Sequence, residues 1–213
     1  FPTRRSSDLP GDITSEQMDV AAKLADDYSF GELRVTHEQN LVLADVKQSD
    51  LFTVWQQAKA QGMATPNIGL LTDMICCPGG DFCSLANAKS IPIAEAIQRR
   101  FDDLDYLFDI GSIDLNISGC MNACGHHHVG HIGILGVDKK GQEFYQVSLG
   151  GSAGRDASLA QILGPSFAEA EMANVVEKIV KELGLSARVM HDQATSFEEN
   201  YLGKTSSSWI AVA

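Results

Sequence analysis

All five cysteines of this chain fall in two short loops. The first, "MICCPGGDFCSLANA" (Met74 to Ala88), carries Cys76, Cys77 and Cys83. The second, "SGCMNACGHHHVGH" (Ser118 to His131), carries Cys120 and Cys124 with His126, His127, His128 and His131, four of the six histidines. Five residues separate Cys77 from Cys83, and three separate Cys120 from Cys124. If these thiols bind one object, the fold must bring two distant loops together. Structural zinc most often uses two-residue gaps, which make a tight knuckle, and neither pair has that gap. A four-residue step such as Cys120 to Cys124 puts two thiolates on one face of a helical turn. The glycines of "CPGGDFC" let a backbone wrap closely round something bulkier than one ion. Four thiolates from two loops suit a [4Fe-4S] cluster, and structural zinc stays open as the alternative.

Composition narrows the setting. Five is an odd number of cysteines, and four lie in short-spaced pairs, which fits a reduced cytoplasmic protein with a metal site better than a disulfide framework. The net charge of −12 argues against nucleic acid as a partner. No apolar run is long enough for a membrane span, and the N-terminus has no apolar stretch of the secretory kind. With 44% hydrophobic residues in 213, the chain can build a real core in one domain or two small ones.

Both ends stand apart. Residues 1–9, "FPTRRSSDL", look like the in-frame translation of a sequencing adapter, so the natural chain is expected to extend upstream and this segment to be its C-terminal part. Residues 185–213 lose clear periodicity and form a tail of uncertain origin.

Between the ends the pattern is α+β. Thr14 to Tyr28 reads as a helix with capping-box spacing at Thr14 and Gln17 and an apolar face of Met18, Ala21, Ala22 and Ala25. Glu32–Thr36 and Leu41–Val46 alternate like strands, and Ser49 or Asp50 caps a helix carrying Leu51, Val54, Trp55 and Ala58, which Gly62 ends. This α-β-β-α block occupies 10–64, with a boundary at Thr65 and Pro66. In 65–184 a helix is expected at Ile91–Phe101 with Pro92 in its first turn, a strand at Ile113–Ile117, a hairpin of Ile132–Val137 and Phe144–Leu149, and a helix at Ala168–Leu183 stopped by Gly184.

The full constellation is more specific than its spacings. "CPGGDFCSLANA" followed by "SGCMNACGHHHVGHIG" resembles the cysteine signature of the siroheme-dependent sulfite and nitrite reductases. "THEQNLVLADV" resembles part of the ferredoxin-like half-domain that precedes their cofactor domain. The resemblance covers about Pro10 to Gly184. It implies a half-domain at 10–64 and an α/β domain at 65–184 binding siroheme and a [4Fe-4S] cluster. By position, the cluster ligands are Cys77, Cys83, Cys120 and Cys124, and the Cys124 sulfur also bridges to the siroheme iron, which makes it the catalytic thiolate. Asn122, Ser118 and Gln39 match positions facing or lining the siroheme pocket; Asn122 could instead cap its turn, and Ser118 and Gln39 could be ordinary turn residues. Arg155 could meet an anionic cofactor group or a surface carboxylate. Cys76 reads as a buried apolar residue beside the macrocycle. One of the four histidines either reaches siroheme or orders its loop.

The activity implied is six-electron reduction of sulfite to sulfide, or of nitrite to ammonia, with electrons from a flavoprotein subunit or a ferredoxin. Both substrates are anions, and siroheme carries many carboxylates, so clustered cations are needed. Near the cysteines stand only Lys89, Arg99, Arg100, Lys139, Lys140 and Arg155. The cationic wall is therefore expected from a missing N-terminal half of the same chain. Two readings from other classes compete: an iron–sulfur electron carrier without a tetrapyrrole, and a zinc-stabilised interaction domain.

Overall fold

The computed structural model describes residues 12–183 and the backbone of Pro2–Thr3. Most of the adapter-like segment, the tail after residue 184 and the expected stop at Gly184 lie outside the described residues. The chain divides into two compact units, Phe1–Ile68 and Gly69–Ala213. The α+β class expected from sequence is the one observed.

The first unit contains β1 (Pro2–Thr3), α1 (Ser15–Tyr28), β2 (Leu33–Val35), β3 (Leu41–Leu43) and α2 (Leu51–Ala60), with an antiparallel sheet ordered β1-β3-β2. The capping box forms: the Gln17 N–H donates to Thr14 Oγ1 (3.3 Å), and the Thr14 N–H donates to Gln17 Oε1 (2.9 Å). The apolar face differs from the expected one. Ala21, Leu24 and Ala25 are buried, whereas Met18 is 58% exposed and Ala22 is exposed too. Gln17 explains the rotation, because its side-chain amide donates to Gln61 O (2.9 Å) and pulls its own side of α1 inward. Neither Ser49 nor Asp50 caps α2 with its side chain. Instead Ser49 Oγ donates to Asp50 Oδ1 (3.0 Å), which occupies the carboxylate that would have capped.

The second unit contains β4 (Ile75–Cys76), α3 (Ile91–Arg100), α4 (Leu104–Ile110), β5 (Leu115–Ser118), β6 (Ile132–Lys139), β7 (Gln142–Leu149), β8 (Gln161–Ile162) and α5 (Met172–Leu183). Its sheet runs β4-β5-β6-β7-β8, parallel through β4, β5 and β6 and antiparallel beyond. Ile117, Ile132, Ile134, Tyr145, Val147 and Leu149 pack with Ile93 and Ile97 of α3 and Val176 and Ile179 of α5 in one core. The β6–β7 turn uses Lys140 (φ 58°) and Gly141 (φ 80°), the doubly left-handed pair that suits the twist of a hairpin. Helix α4 was not expected from the pattern. Its signals are the Asp103 side chain, which accepts from the Asp105 and Tyr106 N–H groups, and Gly111 (φ 78°) at its end. The last helix starts later than its periodicity suggests, because Glu169–Glu171 make a tighter 3-10 turn first.

Tyr145 ties the sheet to the first cysteine loop. It is 1% exposed, and its hydroxyl donates to Lys89 O (2.9 Å) and lies 3.2 Å from Glu143 Oε2. Burial, then the Glu143 charge, raises its phenol above the ordinary value. A folded value raised above the unfolded one contributes stability that is complete below about pH 10 and is lost as pH rises from there towards the folded value. Tyr145→Phe should therefore cost about 1 kcal/mol at neutral pH through its lost hydrogen bonds. The variant should also lose less stability than the wild type as pH climbs above about 10. Thermal melts at several pH values check both expectations.

Candidate metal centre

The two cysteine loops leave the same end of two adjacent parallel strands. Cys76 of β4 is in register with Ile117 of β5, and the next N–H, that of Cys77, donates to Ile117 O (3.0 Å). Cys77 is thus the first residue past β4, and Cys120 is the second past β5. In the first loop Gly79 turns with φ 62° and its carbonyl accepts from the Cys83 N–H (2.9 Å). The loop closes on itself where the Gly80 N–H meets Ala88 O (2.9 Å).

Glycine 119 stitches the loops together. Its carbonyl accepts from the Asn87 and Ala88 N–H groups (2.9 and 3.1 Å), and its own N–H donates to Cys77 Sγ (3.0 Å). A Cβ at this position would lie 2.7 Å from Ala88 O and 2.8 Å from Gly79 Cα, so only glycine permits the approach. Gly125 is equally constrained, since a Cβ there would stand 2.0 Å from Ile117 O.

The second loop is not the helical turn that the Cys120–Cys124 step suggests. Residues 120–126 form successive tight turns, with the Ala123 N–H on Cys120 O (3.1 Å) and the His126 N–H on Ala123 O (2.8 Å). Ala123 (φ 56°) and His126 (φ 55°) are left-handed. The chain must pack Gly125 on the end of β5 before returning as β6 alongside it, and a continuing helix would carry it away. The loop therefore presents its two thiols differently: Cys120 is buried and Cys124 exposed. Cys77 is buried and Cys83 half-buried. Cys76 is fully buried in the core, where its Sγ donates to Cys77 O (3.3 Å). None of the five is in a disulfide.

Among the described residues, no three His, Cys, Asp or Glu side chains gather as a single metal ion would need. What the loops do offer matches a cluster in kind: soft thiol donors, a glycine-lined approach, and a backbone N–H already aimed at one sulfur.

The remaining expected residues separate into several roles. Ser118 is buried, and its Oγ accepts from the Gly125 N–H (3.1 Å), so it shapes the second loop. Asn122 is exposed between the two cysteines. Gln39 belongs to the first unit, half-buried and left-handed (φ 59°) in the turn between β2 and β3. Arg155 is exposed in the turn between Ser152 and Ser158. Of the histidines, His131 uses its ring, while His126 and His128 contribute backbone carbonyls. His131 Nδ1 accepts from the Asp114 N–H (2.9 Å), His126 O accepts from Asn116 Nδ2 (3.0 Å), and His128 O accepts from the Ala160 N–H (2.9 Å). His127 and His128 meet edge to face and line a cleft with Leu135, Gln146 and Ser148. Burial, reinforced by His128, lowers the His127 value, which keeps that ring neutral near pH 7. Its Nδ1 has no partner among the described residues.

Residues 70–182, more than half of the chain, match the family model described as the nitrite and sulphite reductase 4Fe-4S domain. The chain belongs to the nitrite and sulfite reductase family. Residues 8–61 match the model of that family's ferredoxin-like half domain. Members of the family carry siroheme and a [4Fe-4S] cluster. Similar proteins include the chloroplastic ferredoxin–nitrite reductase of Arabidopsis thaliana, 28% identical over 84% of this chain and 31% of that one. Sulfite reductase [ferredoxin] 2 of Mycolicibacterium paratuberculosis is 27% identical over 81% of this chain and 33% of its own length. The chain thus spans about a third of the length of these relatives. Among solved structures, Mycobacterium tuberculosis NirA superposes with a TM-score of 0.69 at 25% identity, over 84% of this chain and 34% of that one. Dissimilatory sulfite reductase I shares the fold, with a TM-score of 0.70 at 12% identity.

The sequence pattern did not reveal Gly119 as the link between the loops, because a glycine before a cysteine reads as an ordinary turn. Gly119→Ala should push the loops apart, cost about 1–3 kcal/mol by overpacking, and lower iron and sulfide bound per chain. Melting curves and iron and sulfide assays on the same preparation check this.

Proposed function

We propose that this chain is the cluster-bearing part of a siroheme-dependent reductase that converts sulfite to sulfide by six electrons. Family membership and the names of the relatives support the reaction class. The observation that carries the reading onto this chain is the Gly119 N–H on Cys77 Sγ, which joins one cysteine loop to the other at hydrogen-bond distance. Nitrite is the second reading, favoured by relatives named as ferredoxin–nitrite reductases. Ferredoxin is the donor that those names support, and a flavoprotein subunit is the other.

Cys77, Cys83, Cys120 and Cys124 would hold the cluster, each giving up its proton on binding. Burial of Cys77 and Cys120 keeps water from that side, which strengthens the charge interactions there. Cys124 is the exposed member, so it would be the thiolate available to siroheme as well as to the cluster. Bound together, siroheme and cluster would supply the electron storage and the open iron position for the anion. Asn122 is exposed two residues before Cys124, which supports the reading that its amide would hold a siroheme carboxylate. Ser118 acts through the backbone of Gly125 instead.

Of the six cations near the loops, Lys89, Arg99, Arg100 and Lys139 have local partners. Lys89 pairs with Asp81 (3.6 Å), Arg99 with Glu95 (3.4 Å) and Arg100 with Glu177, while Lys139 lies over the Phe144 ring (5.3 Å). These engagements support a cationic wall supplied from outside these 213 residues, which span about a third of the relatives' length. Among the described residues no helix is long and apolar enough to cross a membrane. We place the enzyme in the cytoplasm because an odd number of cysteines, four of them in short-spaced pairs, suits a metal site better than a disulfide framework.

Two tests follow. In an enzyme that includes the upstream sequence, Cys124→Ser should abolish sulfite reduction and the electronic coupling of cluster to siroheme, because serine is a poor bridging ligand. Cys76→Ser should keep both and lose only stability, about 1–3 kcal/mol for a hydroxyl placed in the core. Equal losses would remove the bridging role. The 213-residue chain alone should not reduce sulfite even after cluster reconstitution; turnover with bound siroheme would overturn the need for an outside cationic wall. A metal assay with an absorption spectrum separates this reading from a bare iron–sulfur carrier, which lacks haem-type bands, and from a colourless zinc domain.

A further inference from the structure

Ser90 stands at the N-terminal cap of α3, where a serine oxygen ordinarily accepts from a backbone N–H of the first turn. Here it makes no such bond. One reason is in the sequence: the second helical residue is Pro92, which has no N–H to offer. The side chain is not released to solvent either, since Ser90 is 0% exposed. Its Oγ lies 3.5 Å from Cys77 Sγ. Gly79 is pressed against it from one side, where a Cβ would stand 2.6 Å from Ser90 Oγ, and Gly119 from another, where a Cβ would stand 3.1 Å away. Two glycines thus clear the space that lets this hydroxyl sit beside this sulfur.

We infer that Ser90 is a tuning residue for the metal centre, its hydroxyl donating to the Cys77 thiolate together with the Gly119 N–H and raising the reduction potential of the cluster. The inference rests on Cys77 being a cluster ligand as proposed above. A thiolate ligand has no proton of its own, so the hydroxyl must be the donor. Reduction adds negative charge to the cluster and its sulfurs, and donors to those sulfurs stabilise the reduced form more than the oxidised one. The start of α3 adds its partial positive charge at the same place. Cys77 thereby becomes the ligand best able to bear added charge. Cys124, exposed on the far loop, has no comparable donor among the described residues.

The test is a redox titration of the cluster-loaded enzyme, followed by electron paramagnetic resonance, comparing wild type with Ser90→Ala. Loss of the cap costs little because no cap bond exists. At the wild-type midpoint the alanine variant should hold at least threefold more oxidised relative to reduced cluster, which is about 28 mV for one electron. Ser148→Ala, another buried serine of the second unit, should leave the midpoint in place. In deuterium oxide, the wild-type reduced cluster should show an exchangeable proton coupling that Ser90→Ala lacks. An unmoved midpoint in a fully loaded Ser90→Ala enzyme overturns the inference and leaves the ligand assignment standing. If Ser90→Ala does not load, absence of any rapidly exchanging coupled proton in the wild type overturns it instead. A wild type that takes up no [4Fe-4S] cluster overturns the ligand assignment and this inference with it.

Discussion

The pairing of β4 with β5 sets the geometry of everything else in the second unit. Two residues of β4, Ile75 and Cys76, lie in parallel register on Asn116 and Ile117, and the Cys77 N–H extends the ladder by one more bond to Ile117 O. Because the strands are parallel, both loops that follow them emerge at one end of the sheet, which is where open α/β sheets usually place their sites. An antiparallel pairing would have sent the two loops to opposite ends. The crossover that parallel pairing requires is supplied by α3 and α4, and their apolar faces enter the core beneath the strands. The ladder is very short, so its stability comes from the fully buried Cys76, Ile117 and their neighbours more than from its hydrogen bonds.

On this base the loops are held by contacts that leave no room for larger residues. Gly79 and Gly119 crowd around Ser90, Ser90 and the Gly119 N–H reach Cys77, and Gly125 lies on the end of β5. Tyr145 fixes the far side of the first loop through Lys89. The result is a graded set of thiols, from Cys76 wholly in the core, through Cys77 and Cys120 at its edge, to Cys124 in the open. That gradient has a functional meaning within the proposed reductase. A cluster held by these thiols would be shielded from water on the Cys77 and Cys120 side, with Cys124 left accessible.

The first unit has a different character. The strand β2 is exposed along its length, and Phe30, Val35 and Phe52 are exposed at 84%, 79% and 64%. Among the described residues its core is a small cluster around Leu24, Leu43, Val54 and Met63. A unit with so much apolar surface and so little interior is what a half domain should look like by itself. The match of residues 8–61 to a model of that description agrees with this.

Much of this was legible in the residues, and what was legible shares one property: it depends on neighbours in the chain. The Thr14 capping box, the Pro92-led helix, the hairpin of Ile132–Val137 and Phe144–Leu149 and the two cysteine spacings are all short-range patterns, and each is present in the structure. The resemblance to the reductase family rests on the same local strings. Tertiary structure decided the rest. Periodicity could not orient α1, because the Gln17 bond to Gln61 reaches across 44 residues. Spacing suggested a helical turn for Cys120 and Cys124, but the packing of Gly125 on β5 forbids it. Nothing in the sequence pattern singles out Ser90, and only the return of the chain past Cys77 turns its hydroxyl towards a sulfur. The sequence by itself determined which donors are present and in what order, since that is covalent. The orientation of each donor, and its degree of burial, came from long-range backbone contacts that local pattern does not encode.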